Sequence, residues 1–173
     1  MGGVLYEEFG IQKQSPTVGA YFFAEDYLRF LMNFEYYINL DLKFIDIDDS
    51  KQKDWIVENK NEDCPIGVLD DIEIIFVHYN TKEQTYDKWT RRVKRINRDN
   101  LVFKFSYVNH ATEEHLKQFD GMSLPGKKVM FVNQKNMGYK YGVYYPGFEN
   151  DNQIYNDTYF GNRYFDVVTF LNS

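Results

Sequence analysis

Cysteine is almost missing from this chain: Cys64 stands alone among 173 residues. One thiol closes no internal bridge, which excludes the stapled framework of a small secreted domain and makes a reducing compartment, the cytoplasm, the expected location. Histidine is scarce as well, with His78, His110 and His115 making up the 3. No two of them stand four apart on one helix face, so the tight ligand spacing of a zinc site is missing. Basic residues are in deficit, 20 against 26 acidic, for a net charge of −6. That balance argues against general affinity for nucleic acid or anionic lipid and makes any anion site local. Long apolar runs are lacking, and the first eight residues are neither basic nor apolar, so neither a transmembrane segment nor a signal peptide is expected. Gly-x-Gly-x-x-Gly, the Walker lysine motif and Gly-x-Ser-x-Gly are all absent, and Cys64 precedes Pro65 without a neighbouring histidine. Nucleotide sites of the usual kinds and hydrolases with a familiar activated nucleophile are therefore not indicated.

What is present is an ordinary globular balance, 43% hydrophobic and 27% charged, with an aromatic share raised to 18%. The length suits one domain over 1–173. Over 25–39 the residues Tyr27, Leu31, Phe34 and Ile38 recur at helical spacing, with Glu25 and Asp26 at the positive end, which predicts one helix. A short strand over 42–47 and a polar loop or small helix around Trp55 follow. The β-branched run 72–77 reads as a strand covered on both faces. Thr81-x-x-Gln84 reads as a capping box opening a basic helix to Arg98, striped by Trp89, Val93 and Ile96. A strand over 101–107, a helix capped by Thr112 and carrying Leu116 and Phe119, and a strand over 128–132 complete the middle. Strand, helix, strand, helix, strand with short links is the pattern of parallel crossovers, so the fold class is α/β. The last forty residues, rich in tyrosine (Tyr139, Tyr141, Tyr144, Tyr145, Tyr155, Tyr159, Tyr164), are expected to form edge strands or ordered loops closed by a C-terminal helix.

In parallel sheets ligands bind beyond the carboxyl ends of strands, and the residues there are polar. His78, Tyr79, Asn80 and Thr81 follow one strand, Asn109, His110 and Thr112 the next, and Asn133, Gln134 and Lys135 the third. Such a rim of amides, hydroxyls and imidazoles suits a sugar, while the same residues also cap helices and turns. The imidazole of His78 or His110 is by residue type a candidate general base, or a satisfied structural histidine. Arg91, Arg95 and Arg98 share one helix flank, with Arg92 elsewhere, and either grip a diphosphate or carboxylate or form a solvated, ion-paired face. The tyrosines of the tail serve a core, a subunit contact in a homo-oligomer, or sugar stacking.

Several phrases resemble one bacterial family. They are Ser15-Pro16-Thr17 followed by Glu25-Asp26-Tyr27-Leu28-Arg29-Phe30-Leu31; Pro65-Ile66-Gly67-x-Leu69-x-Asp71-Ile72-Glu73-Ile74; Phe76-x-His78-Tyr79; and Trp89-x-x-Arg92-x-x-Arg95-Ile96-Asn97-x-Asp99-Asn100. The chain is similar to the family called domain of unknown function nineteen-nineteen, whose members are often labelled exopolysaccharide biosynthesis proteins. The resemblance implies a three-layer α/β/α fold with a mixed, largely parallel sheet. It points to Ser15, Thr17, Asp26, Asp71, His78, Tyr79, Arg92 and Arg95 as the matching positions able to act. Members begin with a strand and an Asn-Asn-Cys-type loop ahead of the Gly-Gly matched by Gly2-Gly3, so that strand and loop are expected to be missing here. Where members carry an acidic or Asp-Arg phrase, this chain has Tyr107-Val108-Asn109-His110. The expectation is a protein of cell-surface polysaccharide synthesis, a glycosyl- or acyl-transferase. His78 would be the base and Asp71 a second catalytic group. Ser15, Thr17, Asp26, Tyr79, Asn80, Arg92, Arg95, Asn109 and His110 would bind the sugar or its activated donor. The rivals are a non-catalytic binding or assembly protein of the same pathway and, more weakly, a sugar-ester hydrolase. No motif specifies a cofactor.

Overall fold

The computed structural model describes residues 2–155, 157 and 165–173. The chain divides into two compact units, one formed by Lys13–Asn97 and the other by Met1–Gln12 with Arg98–Ser173. It opens with helix α1 (Gly2–Glu8).

Within Lys13–Asn97 the first long helix is α2 (Ala24–Met32), followed by the short α3 (Phe34–Ile38). The single helix predicted over 25–39 is therefore broken at Asn33, whose backbone (φ −121°, ψ 42°) leaves the helical region. The break also moves the core stripe. Ala24, Leu28 and Leu31 are buried at helical spacing, whereas Tyr27 and Phe34 are only half-buried. Strand β1 (Lys43–Ile45), helix α4 (Lys53–Glu58) and strands β2 (Ile66–Leu69) and β3 (Ile72–Ile75) come next. The strands form an antiparallel sheet in the order β1-β2-β3, with Ile45 opposite Ile66 and Ile66 opposite Ile75.

The crossover pattern expected of 72–77 is corrected here. A two-residue turn, Asp70-Asp71, folds β3 back on β2 as a hairpin, with Asp70 in the left-handed region (φ 55°). Asp-Asp carries a weaker hairpin signal than Asp-Gly, so the apolar run that follows reads as a parallel strand. All four β3 residues are buried, as a doubly covered strand requires. The apolar interior leaves no room for a side chain at Gly67. A Cβ there would stand 2.7 Å from the Phe76 ring and 2.8 Å from Leu42. Helix α5 (Lys82–Val93) buries Trp89 and stops short of the expected end, so Arg95 and Arg98 lie beyond it. Thr81 Oγ1 accepts the Gln84 N–H, but Gln84 Oε1 accepts from Asn80 N rather than from Thr81, so the predicted box is not reciprocal.

The other unit holds β4 (Val102–Ser106), α6 (Glu113–Gly121), β5 (Lys127–Val132), β6 (Gly142–Tyr144) and α7 (Val167–Asn172). Its sheet is parallel in the order β4-β5-β6. The expected strands thus lie in two three-stranded sheets, one antiparallel and one parallel, instead of one mixed sheet. Leu116 and Phe119 of α6 are fully buried, and Phe119 stacks on Phe105 of β4 at 5.3 Å. Thr112 and His115 form a true capping box, the imidazole Nδ1 accepting the Thr112 N–H. Successive residues of a strand face opposite sides, and two neighbouring lysines use this. Lys128 Nζ donates to the Asp120 and Met122 carbonyls at the end of α6, while Lys127 Nζ donates to those of Phe170 and Leu171 in α7. Each lysine satisfies the open carbonyls of a helix C-terminus. The C-terminal helix is present as expected, with Asp166 as its cap. Tyr159 and Tyr164 lie outside the described residues. Among those residues no helix is long and apolar enough to cross a membrane.

Candidate functional site

Past β3 the chain makes a turn in which Tyr79 N–H donates to the Phe76 carbonyl, and this drops the Tyr79 ring into the core against Phe76 at 5.4 Å. Only 6% of Tyr79 is exposed, and its hydroxyl donates to the Val18 carbonyl at 2.6 Å. From α5, Arg92 Nη1 donates both to the Val18 carbonyl, at 2.8 Å, and to the Tyr79 oxygen. These three bonds fasten the turn 16–19 to the end of the strand. The fastening explains Gly19. Its φ is +79°, and a Cβ would meet the Tyr79 ring at 2.8 Å, so the turn sits flush on the tyrosine. Just upstream, the Ser15 and Thr17 hydroxyls bond each other at 2.8 Å, and Thr17 N–H donates to Ser15 Oγ.

One helical turn before Arg92, Lys88 places its ammonium over the Tyr79 ring, 4.7 Å from the centroid. No carboxylate pairs with Lys88 or Arg92 among the described residues. Tyr79 and Arg92 therefore come together at Val18, the residue after Thr17, with Lys88 as a member that the sequence reading missed. Its signal was available: Lys88 and Arg92 stand four apart on one helix face. Chemically, two cations beside a hydroxyl-bearing turn can hold an anionic, hydroxylated group. His78 borders this cluster through its Cβ, which lies 3.4 Å from where a Gly19 Cβ would be. Its imidazole is exposed, and no described residue bonds it.

The acidic candidates lie at the other end of β3, a strand of four residues that spans about 13 Å. Asp71 accepts from the Tyr37 hydroxyl at 2.6 Å and from Arg29 at 3.3 Å. The tyrosine hydrogen bond, then the arginine charge, hold its carboxyl below the usual range. Asp26 is buried at 6% exposure and accepts the Glu73 N–H at 3.1 Å. Burial raises its pKa, and the nearby Glu73 adds to the rise. Glu73 is itself buried and accepts from Ser50 Oγ at 2.7 Å and Lys51 N–H at 3.1 Å. Asp71 and Asp26 are thus engaged in fold-holding bonds, and the structure does not bring Asp71 together with His78.

The remaining candidates are scattered. Asn80 uses its N–H on Gln84, and Arg95 lies past the end of α5. In the other unit, Asn109 (φ 56°) and His110 (φ 62°) are the two central residues of a turn closed by Ala111 N–H to the Val108 carbonyl. Asn133 spends its amide on the Phe148 and Asp151 carbonyls and Gln134 on the Glu149 carbonyl, so that part of the polar rim positions a loop. A further cluster there escaped the sequence. Lys104 and Ser106, two apart on β4 and so on one face, both donate to the buried Asp157. Burial works against the Asp157 charge, but the Lys104 ammonium and the two hydrogen bonds outweigh it, and the pKa falls. A separation of 51 residues between Ser106 and Asp157 hides such a trio from any motif.

Against known proteins, the model of the family described as Domain of unknown function (DUF1919) matches residues 1–172. The chain belongs to this family. As a DUF1919 protein it also has a relative in Haemophilus influenzae, an uncharacterized protein 32% identical over 162 residues, covering 91% of this chain and 71% of the relative. The phrases that suggested the family include the residues of the Tyr79 cluster: Ser15 and Thr17 come from one, Tyr79 from another and Arg92 from a third.

Proposed function

We propose that this DUF1919 chain acts in bacterial cell-surface polysaccharide synthesis by binding an anionic, hydroxyl-rich sugar donor at the Tyr79 cluster, for transfer of a glycosyl or acyl group. The supporting observation is the pair Lys88 and Arg92, held against Tyr79 at the turn that carries Thr17 and Val18, with no carboxylate among the described residues to neutralise either. In a chain of net charge −6, two cations so placed favour an anionic ligand. Arg92 supplies geometry as well as charge, since Nη1 is fixed by Val18 and Tyr79. His78, beside the cluster, is the proposed base, and a neutral imidazole there would take the proton of an acceptor hydroxyl.

Calorimetric titration with a sugar diphosphate, a sugar carboxylate and a neutral glycan tests the reading. The anionic sugars should bind, the neutral glycan should not, and Lys88→Ala should weaken binding about tenfold, or ~1.4 kcal/mol. Equal binding by Lys88→Ala and the parent chain, or preference for the neutral glycan, would remove the site. A second reading, a non-catalytic binding protein of the same pathway, draws on His78: no described residue orients its imidazole, as a general base normally requires. An assay of the parent chain beside His78→Ala separates the two, because transfer lost in the variant with donor binding retained supports catalysis, and donor binding by the parent chain without transfer supports plain binding.

A further inference from the structure

The cationic character of α5 extends beyond the two residues of the cluster. Five of the eight residues from 88 to 95 are Lys or Arg and none is acidic. At about 100° per residue, Lys88, Arg91 and Arg92 fall within an arc of about 100°, on one flank of the face that buries Thr85 and Trp89. Of the acids of this helix, Glu83 lies well round from the row, while Asp87 stands one turn before Arg91 at its edge without pairing its carboxylate to it. The structure therefore modifies the flank read from sequence: Arg92 and Lys88 join Arg91, and Arg95 and Arg98 leave it because the helix has ended. Arg91 is exposed and its one hydrogen bond, from Nε, goes to the Asp87 carbonyl; Lys88 and Arg92 are half-buried. None of the three pairs with a carboxylate among the described residues. From residue 88 to 92 the row runs about 6 Å along the helix.

A single phosphoryl or carboxylate group engages only one end of such a row and leaves Arg91 idle. We infer that the flank takes an anionic glycan chain, a polymer with repeated carboxylate or phosphate groups, laid along α5 with one anionic unit at Lys88 and Arg92 and the next toward Arg91. This rests on the reading of the Tyr79 cluster as an anion site and extends it from one sugar to several. The charge complementarity is local, since the chain as a whole is acidic and repels polyanions elsewhere.

The full chain is titrated with a galacturonate hexamer, the galacturonate monomer, a neutral maltohexaose and a single-stranded DNA hexamer over a range of salt concentrations. Three engaged cations should give a log K against log salt slope of about −2, at ~0.7 per cation on a single strand. The hexamer should bind at least tenfold more tightly than the monomer, and Arg91→Ala should lower the slope by about 0.7 while leaving monomer affinity unchanged. Equal affinities for hexamer and monomer, with Arg91→Ala silent, would overturn the polymer inference and leave the single-sugar site standing. DNA binding as tight as that of the hexamer would overturn the choice of glycan. If no anionic sugar of any length binds, the site and its extension fall together, and circular dichroism of each variant shows whether folding was retained.

Discussion

Two cation clusters, one in each compact unit, are used in opposite ways. In the parallel-sheet unit Lys104 meets buried Asp157, and Lys127 and Lys128 each fill the open carbonyls of a helix end. In the antiparallel-sheet unit Lys88, Arg91 and Arg92 meet backbone carbonyls and an aromatic ring but no carboxylate among the described residues. A cation fully matched within its own unit is accounted for by folding. One left with its charge uncompensated is costly to retain unless something outside supplies the anion, which is why the Tyr79 cluster carries the functional reading and the Asp157 trio does not.

The largest expected effect tests the matched side. Asp157→Ala leaves the Lys104 ammonium and the Ser106 hydroxyl without their shared acceptor, and breaking such a pair should cost about 3 kcal/mol in urea unfolding. Its pH dependence is also fixed in sign. The folded pKa of Asp157 is lowered, so the stability it adds is present above the ordinary carboxylate value near ~4 and is lost as pH falls through the lower folded value. Asp157→Asn should flatten that acid limb; an unaltered limb would show that the pair adds nothing. Next in size, Lys128→Met removes two bonds to the α6 terminus and should cost about 2 kcal/mol, read from the same unfolding curves.

Gly19→Ala bears on the unmatched side. It drives a Cβ into the Tyr79 ring at a φ of +79°, and should cost about 1–2 kcal/mol while shifting the turn that holds Val18. Sugar binding should fall with it, and stability lost without any change in binding would separate the turn from the site. Asp26 has the reverse sign to Asp157. Its folded pKa is raised by burial, so it detracts from stability as pH rises from the ordinary value through the folded one. Asp26→Asn, which keeps an acceptor for the Glu73 N–H, should therefore raise the unfolding midpoint at neutral pH; a lower midpoint would contradict the sign. Smallest of all is Lys88→Ala, expected to move stability by under ~0.5 kcal/mol, since a half-exposed ammonium over a ring contributes little. If it instead unfolds the chain, the contrast between the two clusters fails.

Much of this was visible along the chain. The helix caps at Thr81 and Thr112, the buried run at β3 and the buried Leu116 and Phe119 follow from spacing alone, because each depends on neighbours within about one helical turn or on strand alternation. Pairing partners were not visible. The run at 72–77 has the composition of a parallel strand, and only the turn at Asp70-Asp71 commits it to β2. Likewise Ser15, Thr17, Tyr79 and Arg92 could be singled out by their phrases, while the bonds that Tyr79 and Arg92 make to Val18 span 61 and 74 residues of sequence.

The order of residues by itself determined the α/β content, the caps, the absence of an internal disulfide and the family, since these are properties of short windows and of composition. Only the tertiary structure decided that the strands divide into two sheets, that Asp71 and Asp26 hold the fold at the far end of β3 from Tyr79, and that Lys104 is neutralised where Lys88 is not. The physical reason is the same in each case. Whether a strand edge or a charge finds its partner depends on what the folded chain brings within a few ångströms, and spacing along the sequence carries no record of that.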